Sequence, residues 1–331
     1  MEKSCVKWGV LGTAGIAWEQ TLPGMKKAYN CELYAIAGRN PEKVKKYQEE
    51  FGFEKAYDSY DALLDDEQVE AVYIPLPNQL HREWAEKAAK KKKHILCEKP
   101  LAVTARDVKE LVEICKKEGV LLMEAFAYLH SDVTREILQK VHDKVIGEPK
   151  FMESCFFTTD YAEENIRMRK ETYGGGTYDL GCYNISLILK VFGEKPDQVR
   201  ALAGFMGTGV DDFSAAYFTF PSGAKASALQ GMCSPQRADR YFIYGTEGVI
   251  EAPVRFNQEG DITYYIHKNG RTDTCRVSVK SNYQLEAEQF GRCILNGETP
   301  FVSTEFSIET AEVIDQVLAE IGYVETAGEN I

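Results

Sequence analysis

The chain predicts an α/β protein in two parts. The first is a doubly wound parallel sheet; the second is an α+β domain with an open, mostly antiparallel sheet. Three observations carry this expectation. The 331 residues suffice for two domains with sizeable cores. Up to about residue 125, short apolar runs alternate with helical segments, the pattern of a parallel sheet. Beyond that point strand-like runs follow one another across short turns, as antiparallel pairing requires. The expected domains are therefore 1–125 and 126–331.

The elements follow in order. Val6-Lys7-Trp8-Gly9-Val10-Leu11 reads as the first strand and 15–28 as a helix. Glu32–Ala37 is a second strand, ending at Gly38-Arg39-Asn40. Pro41 suits the first turn of a helix continuing through Glu50. Further strands are expected at 70–75, 94–97 and 120–124, with helices at 81–92 and 104–118. Thr104 is the natural N-cap of the last, with Asp107 three residues on. After residue 125, strands are expected at 150–158, 198–206, 212–220, 224–232, 239–244, 249–252 and 262–267. Pro221-Ser222-Gly223 and Lys268-Asn269-Gly270-Arg271 are hairpin loops. Helices are expected at 178–192, 283–296 and about 307–321, the last a candidate to pack back on the first domain.

Composition excludes several classes. A formal net charge of −12 argues against nonspecific nucleic-acid binding. No apolar run approaches a membrane span, and the segment Met1–Val6 lacks the apolar core of a signal peptide. Nine dispersed cysteines with no Cys-x-x-Cys pair read as reduced thiols. Together these predict a cytoplasmic protein. His94, His130 and His142 show no metal-ligand spacing, so no metal is expected. The run Lys90–Lys93 ends a helix and reads as a solvated face.

Two groups of residues carry chemistry. In Gly12-Thr13-Ala14-Gly15-Ile16-Ala17, Gly12 takes the tight first position of a G-x-G-x-x-G/A turn, with Ala14 second and Ala17 third. The amides opening the next helix would hold a pyrophosphate. At the end of the second strand no Asp or Glu awaits a ribose. Arg39 stands there instead and can pair with a 2′-phosphate or stack on adenine, which favours NADP, with NAD as the alternative. Leu76, Pro77 and Asn78 belong to the loop after the next strand, beside the nicotinamide ribose; Asn78 alternatively caps the helix. His81 is read either as a cofactor contact or as a helix-surface residue.

Leu96-Cys97-Glu98-Lys99-Pro100 places a lysine at the end of an apolar strand, with Glu98 able to orient it or to bind ribose. Gly174-Gly175-Gly176 lets backbone approach a ligand or simply turns the chain. Asp179 and Tyr183 follow it, one helical turn apart. Arg167 and Arg169 precede it, within reach of the pocket or solvated. Lys99, Asp179 and Tyr183 make a proton relay, and with the nucleotide turn they imply hydride transfer to or from an alcohol.

Gly9–Ala14, Ala37–Pro41, Pro75–His81, Cys97–Pro100 and Gly245-Thr246-Glu247-Gly248 together resemble the glucose–fructose oxidoreductase / inositol dehydrogenase (Gfo/Idh/MocA) family, nearly end to end. The resemblance implies an N-terminal Rossmann domain and an open C-terminal sheet used for oligomerisation. It maps the catalytic lysine to Lys99, the aspartate to Asp179 and the acid/base to Tyr183. Tyrosine where many members carry histidine, and Asn165-Ile166-Arg167, resemble the branch of dimeric dihydrodiol dehydrogenase and NADP-dependent xylose dehydrogenase. Leu129, Ser131 and Ser186 depart from common family residues near the sugar pocket.

The implied activity is NAD(P)-dependent oxidation or reduction at a hydroxyl or carbonyl of a sugar, glycoside or related diol. Alternatives are a glycoside 3-oxidoreductase that retains its cofactor, and a non-catalytic nucleotide-binding regulator, which should lack Lys99 or the Asp179/Tyr183 pair. A homo-oligomer, most simply a dimer, is expected on the open sheet face, with Val199, Leu202, Ala216, Phe218 and Phe220 as covered positions.

Overall fold

The computed structural model describes Ser4–Tyr323 apart from residues 160 and 163. The start of the chain, read above for a targeting segment, lies partly outside the described residues. Two compact units are present, each described by itself. One holds the chain up to Ser131 together with Lys280–Ile308; the other holds Asp132–Val279 and the chain from Glu309 on.

The first unit contains six parallel strands: β1 (Val6–Leu11), β2 (Cys31–Ala37), β3 (Lys55–Tyr57), β4 (Ala71–Ile74), β5 (His94–Glu98) and β6 (Leu122–Ala125). Their spatial order is β3-β2-β1-β4-β5-β6. The order reverses at β1, so the carboxyl ends of β1 and β4 flank the switch point where doubly wound sheets bind ligands. The central strands are buried on both faces, as their near-continuous apolar sequences demand.

The helices are α1 (Leu22–Lys27), α2 (Pro41–Phe51), α3 (Tyr60–Asp65), α4 (Asn78–Lys90) and α5 (Ala105–Glu118). A π-helical turn, Ala17–Thr21, leads into α1. Thr104 caps α5 by accepting from the Asp107 amide at 3.1 Å, as expected. Asn40 caps α2 through the Lys43 amide at 3.0 Å. Asn78 does not cap α4: it is the first helical residue, Pro77 holds the cap position, and no side-chain cap bond forms. Lys93 departs from the solvated-face reading of its run. It is buried, and its Nζ donates to the carbonyls of Asp66 and Val69 at 2.7 and 2.8 Å.

The second unit opens with α6 (Asp132–His142) and holds an eight-stranded sheet. Its strands are β7 (Pro149–Phe157), β8 (Gln198–Phe205), β9 (Asp211–Thr219), β10 (Lys225–Gly231), β11 (Ala238–Gly245), β12 (Gly248–Ala252), β13 (Gly260–Lys268) and β14 (Arg271–Val279). The order is β14-β13-β12-β11-β7-β10-β9-β8, antiparallel except for the β7–β10 pair. α7 (Cys182–Phe192) packs on β7 and β10 and covers one face.

Side chains alternate across that sheet, which separates the five positions expected on the open face. Val199, Ala216, Phe218 and Phe220 are buried. Leu202 has the opposite parity to Val199 in β8 and is 82 % exposed. The open face carries Leu202, Tyr217 and Phe213 instead. No disulfide joins any of the nine cysteines. Among the described residues no helix is long and apolar enough to cross a membrane.

After the second sheet the chain supplies α8 (Asn282–Asn296), which packs on α1 and on β1 and β2 of the first unit. Gly24 makes this approach possible: a Cβ there would stand 2.7 Å from the Tyr283 Cβ and 2.8 Å from the Gln284 amide nitrogen. The last helix, α9 (Thr304–Ile321), is where the two units divide, between Ile308 and Glu309.

Candidate active site

The site residues of the first unit gather at the carboxyl ends of β1, β2, β4 and β5. β1 ends at Leu11, and Gly12 turns the chain at φ +120°. A side chain there would be strained and would meet Leu76 Cδ2 at 3.0 Å. Leu76 is buried against this turn. The Gly12 amide donates to the Ala37 carbonyl at 2.8 Å, which ties the turn to β2. Gly38 is required nearby, because a Cβ would meet Val44 Cγ2 at 2.8 Å and Thr13 Cγ2 at 3.3 Å.

Tyr47 donates to the Ala14 carbonyl at 3.0 Å and holds the loop from the side of α2. No side-chain cap closes the helix start at Ile16. The first-turn amides therefore suit an anion, and Gly12, Thr13, Ala14, Gly15 and Ile16 fit a dinucleotide pyrophosphate. Arg39 is exposed at the end of β2, hydrogen-bonded to the Tyr60 hydroxyl. Asn40 is committed to its cap.

The segment at the end of β5 is the most tightly tied. Glu98 accepts from the Tyr73 hydroxyl at 2.6 Å, and that hydroxyl lies 2.9 Å from Thr21 Oγ1 in the π-helical turn. Lys99, half-buried, precedes Pro100 through a cis peptide bond. His81 is completely buried: Nδ1 lies 2.8 Å from the Pro100 carbonyl and Nε2 2.7 Å from the Leu76 carbonyl. Each ring nitrogen faces a backbone carbonyl, which joins the loop after β4 to the lysine turn; the neutral ring donates to one of the two and the imidazolium to both. The reading of His81 as a helix-surface residue does not hold, because the ring is fully buried. Burial keeps its pKa below the ordinary histidine value; the two carbonyls oppose this and the Lys99 charge adds to it.

Two buried acids flank this turn. Glu124 of β6 accepts from the Leu101 amide at 2.9 Å, and burial pushes its carboxyl up to about 7. Glu286 of α8 is 1 % exposed, and among the described residues its Oε1 has no hydrogen-bond partner. Burial, and secondarily the Glu98 charge, raises its pKa well above the usual carboxylate range.

In the second unit a π-helical turn, Thr177–Gly181, leads into α7 and carries Asp179, with Tyr183 in the first turn of α7. The glycine run before it is filled by the chain's own atoms. A Cβ on Gly174 would meet the Arg167 carbonyl at 2.2 Å, and one on Gly175, at φ +110°, would meet Asp211 Oδ1 at 2.2 Å. Asp211 in turn accepts from the Thr177 amide and hydroxyl, each at 2.7 Å.

Arg167 donates to Asp179 at 2.9 Å; Asp179 pulls its pKa further up. Tyr183 packs against the stacked pair Phe156 and Phe256, whose centroids are 5.1 Å apart and each 5.3 Å from its own, and Asn257 Nδ2 donates to its hydroxyl at 3.5 Å. Arg237 is clamped to Asp239 at 2.9 and 2.7 Å and lies over the Phe156 ring. Tyr183, as phenolate, is a lesser contribution to the raised pKa of both arginines, after Asp179 for Arg167 and Asp239 for Arg237. Arg169 is exposed. Arg237, Asn257, Glu124 and Glu286 give no local sequence signal; tertiary pairing alone brings them to these places.

This architecture and these residues match a known class. Residues 6–126 match the model of the oxidoreductase family with an NAD-binding Rossmann fold, Gfo/Idh/MocA, and 134–251 match the C-terminal domain model of the same family. The chain belongs to the Gfo/Idh/MocA oxidoreductases. It is similar to D-xylose 1-dehydrogenase (NADP(+)) 2 of Haloferax volcanii, 33 % identical over 94 % of this chain and 95 % of that protein. It is also similar to trans-1,2-dihydrobenzene-1,2-diol dehydrogenase of Xenopus laevis, 31 % identical over 96 % and 98 % of the two chains. Among solved structures, the 3-ketoreductase KijD10 of Actinomadura kijaniata, in complex with NADP and TDP-benzene, superposes with a TM-score of 0.91 at 28 % identity, covering 96 % of this chain and 98 % of that one.

The environment of Glu286 has a measurable consequence. Its folded-state pKa is raised, so the folded chain keeps a proton that the unfolded chain releases. Stability is therefore lost as pH rises above the unfolded value, by up to about 1.4 kcal/mol per pH unit. Glu286→Gln removes this loss. The variant should gain on the wild type in chemical denaturation as pH is raised from the ordinary carboxylate range, and parallel curves would show that Glu286 ionises alike in both states.

Proposed function

We propose that this chain is an NADP(H)-dependent oxidoreductase that interconverts a hydroxyl and a carbonyl on a sugar, glycoside or related diol. What carries the reading is the setting of Tyr183: a half-buried phenol packed against the stacked rings of Phe156 and Phe256, with Asn257 Nδ2 donating to its hydroxyl and Arg237 lying over the Phe156 ring. That is the setting of a group that exchanges a proton with a substrate oxygen. Lys99 polarises the same oxygen, and Asp179 fixes Arg167 beside the phenol. Bound nicotinamide accepts or supplies the hydride. Thr13, Ala14, Gly15 and Ile16 hold the pyrophosphate, Arg39 the 2′-phosphate, and Pro77, Asn78 and Glu98 the nicotinamide ribose. The names of the xylose, dihydrobenzenediol and ketosugar relatives support the substrate class. The cysteines, without a disulfide among them, support a reduced, cytoplasmic setting.

The test is a panel of pentoses, hexoses, glycosides and vicinal diols read by NAD(P)H absorbance with each cofactor. Tyr183→Phe should lower turnover by about 10²–10⁴-fold and spare nucleotide binding. Lys99→Ala should be at least as severe, and Lys99→Arg should not rescue it, because guanidinium stays protonated. Near-normal turnover in Tyr183→Phe removes the tyrosine from the mechanism.

Arg39→Ala should weaken NADP(H) by about 10–100-fold, the worth of one lost charge-assisted bond, and leave NAD(H) nearly unchanged. Calorimetric titration of both cofactors checks this; equal losses would mean that Arg39 only stacks on adenine. The open sheet face supports a homodimer, in which a second copy covers Leu202, Tyr217 and Phe213. Light scattering at micromolar concentration should give twice the chain mass, and Leu202→Arg should shift it toward one.

A further inference from the structure

Lys99 acts from a turn, and a turn must be held if its lysine is to meet a substrate oxygen reproducibly. The residues that follow Lys99 are held on both sides by buried side chains. His81 takes the Pro100 carbonyl, and Glu124 takes the Leu101 amide. Glu124 sits on β6 opposite Cys97, one strand away from the lysine's own. It is 3 % exposed and also receives a hydrogen bond from the buried Ser307. A carboxyl is a costly way to cap one amide in a core, since an amide side chain would do it without a charge. The charge therefore has another use, and the cation that acts on it is Lys99.

We propose that Glu124 is the positioning residue of Lys99: it anchors the backbone that presents the lysine and supplies the counter-charge that governs its protonation. The proposal rests on the reading of Lys99 as the group that acts on substrate. The charged and titratable groups that face Glu124 are few. Glu98 and Lys99 stand at the end of β5, and Cys97 lies within it, its thiol pushed well up by burial. Ser307 closes the side toward α9. His81, beyond Lys99, is held below the ordinary histidine range by burial. Glu124 itself titrates at about 7. Below that pH Lys99 lacks this anion; above it the anion is present and favours the ammonium form.

The test reads Lys99 directly and needs no substrate. Purified chain is pulse-labelled with an amine-selective reagent between pH 6 and 10, and modification of Lys99 is followed by peptide mass spectrometry. Glu124→Gln keeps an oxygen for the Leu101 amide and removes the charge. At pH 8–9 it should label about three- to tenfold faster than the wild type, as expected when one nearby anion is lost at a partly screened site. The wild-type curve should carry an inflection near pH 7 that the variant lacks.

A purely structural Glu124 would leave both labelling curves superimposed, and that result overturns the proposal. If Glu124→Gln does not fold, a wild-type curve without the inflection overturns it equally. With an active substrate in hand, the acid limb of the kcat profile should move in Glu124→Gln while KM changes little. A panel without turnover would sink the functional reading and leave the labelling result standing.

Discussion

Four residues of backbone, Glu98 to Leu101, bear most of the constraint in the first unit. Glu98, Pro100 and Leu101 are each tied by a different element. Tyr73 of β4 holds the Glu98 side chain, His81 of α4 takes the Pro100 carbonyl, and Glu124 of β6 takes the Leu101 amide. Through Tyr73 the same network reaches Thr21, in the helical turn after the nucleotide loop. Parallel strands make this possible: neighbouring strands end on the same side, so residues distant in sequence converge beyond their carboxyl ends.

This convergence has an energetic side. Glu124 and Glu286 are carboxyls in places that disfavour their charge. An amide side chain would serve the fold better at Glu124, where the Leu101 amide needs an acceptor, and an apolar or amide one at Glu286. Perturbed acids next to a lysine are what a proton-handling site needs, and stability is the usual concession. In the second unit the balance is kept differently. Both arginines near Tyr183 are matched by their own aspartates, Asp179 and Asp239. The phenol therefore meets oriented cations within a locally neutral frame, which limits the cost of burying them.

The fold was legible where pattern and local chemistry agree. The strand–glycine–helix start, the Thr104 cap and the five longer parallel strands, β1, β2, β4, β5 and β6, all have local causes. What was not legible was short or two-faced. β3 has three residues and α3 six, below the length at which periodicity speaks. β14 is polar and largely exposed along its length, so it shows no apolar alternation. α6 packs as an amphipathic helix, yet it follows directly on a short helical turn and has no marked start. Lys99, Asp179 and Tyr183 are singled out in the sequence by their flanking residues. The inward turn of His81 was not, because an exposed histidine and one bonded to two distant carbonyls have the same sequence. Lys93 shows the same limit: in a run of four lysines, only tertiary structure decides which one is buried.

The chain's route has a consequence for how it is made. The first unit lacks α8 until residues 282–296 emerge from the ribosome, although its sheet is complete by residue 125. Until then the surface around Gly24, shaped to receive Tyr283 and Gln284, stays uncovered, and Trp8 waits for its ring partner Phe290. The nucleotide-binding half is thus the first to begin and stays incomplete until α8 has been made; the second unit, which also takes the chain from Glu309 on, is completed later still. Nascent chains that stop short of α8 carry an apolar seam exposed to chaperones and proteases, so the cell meets partial products of this protein as folding clients.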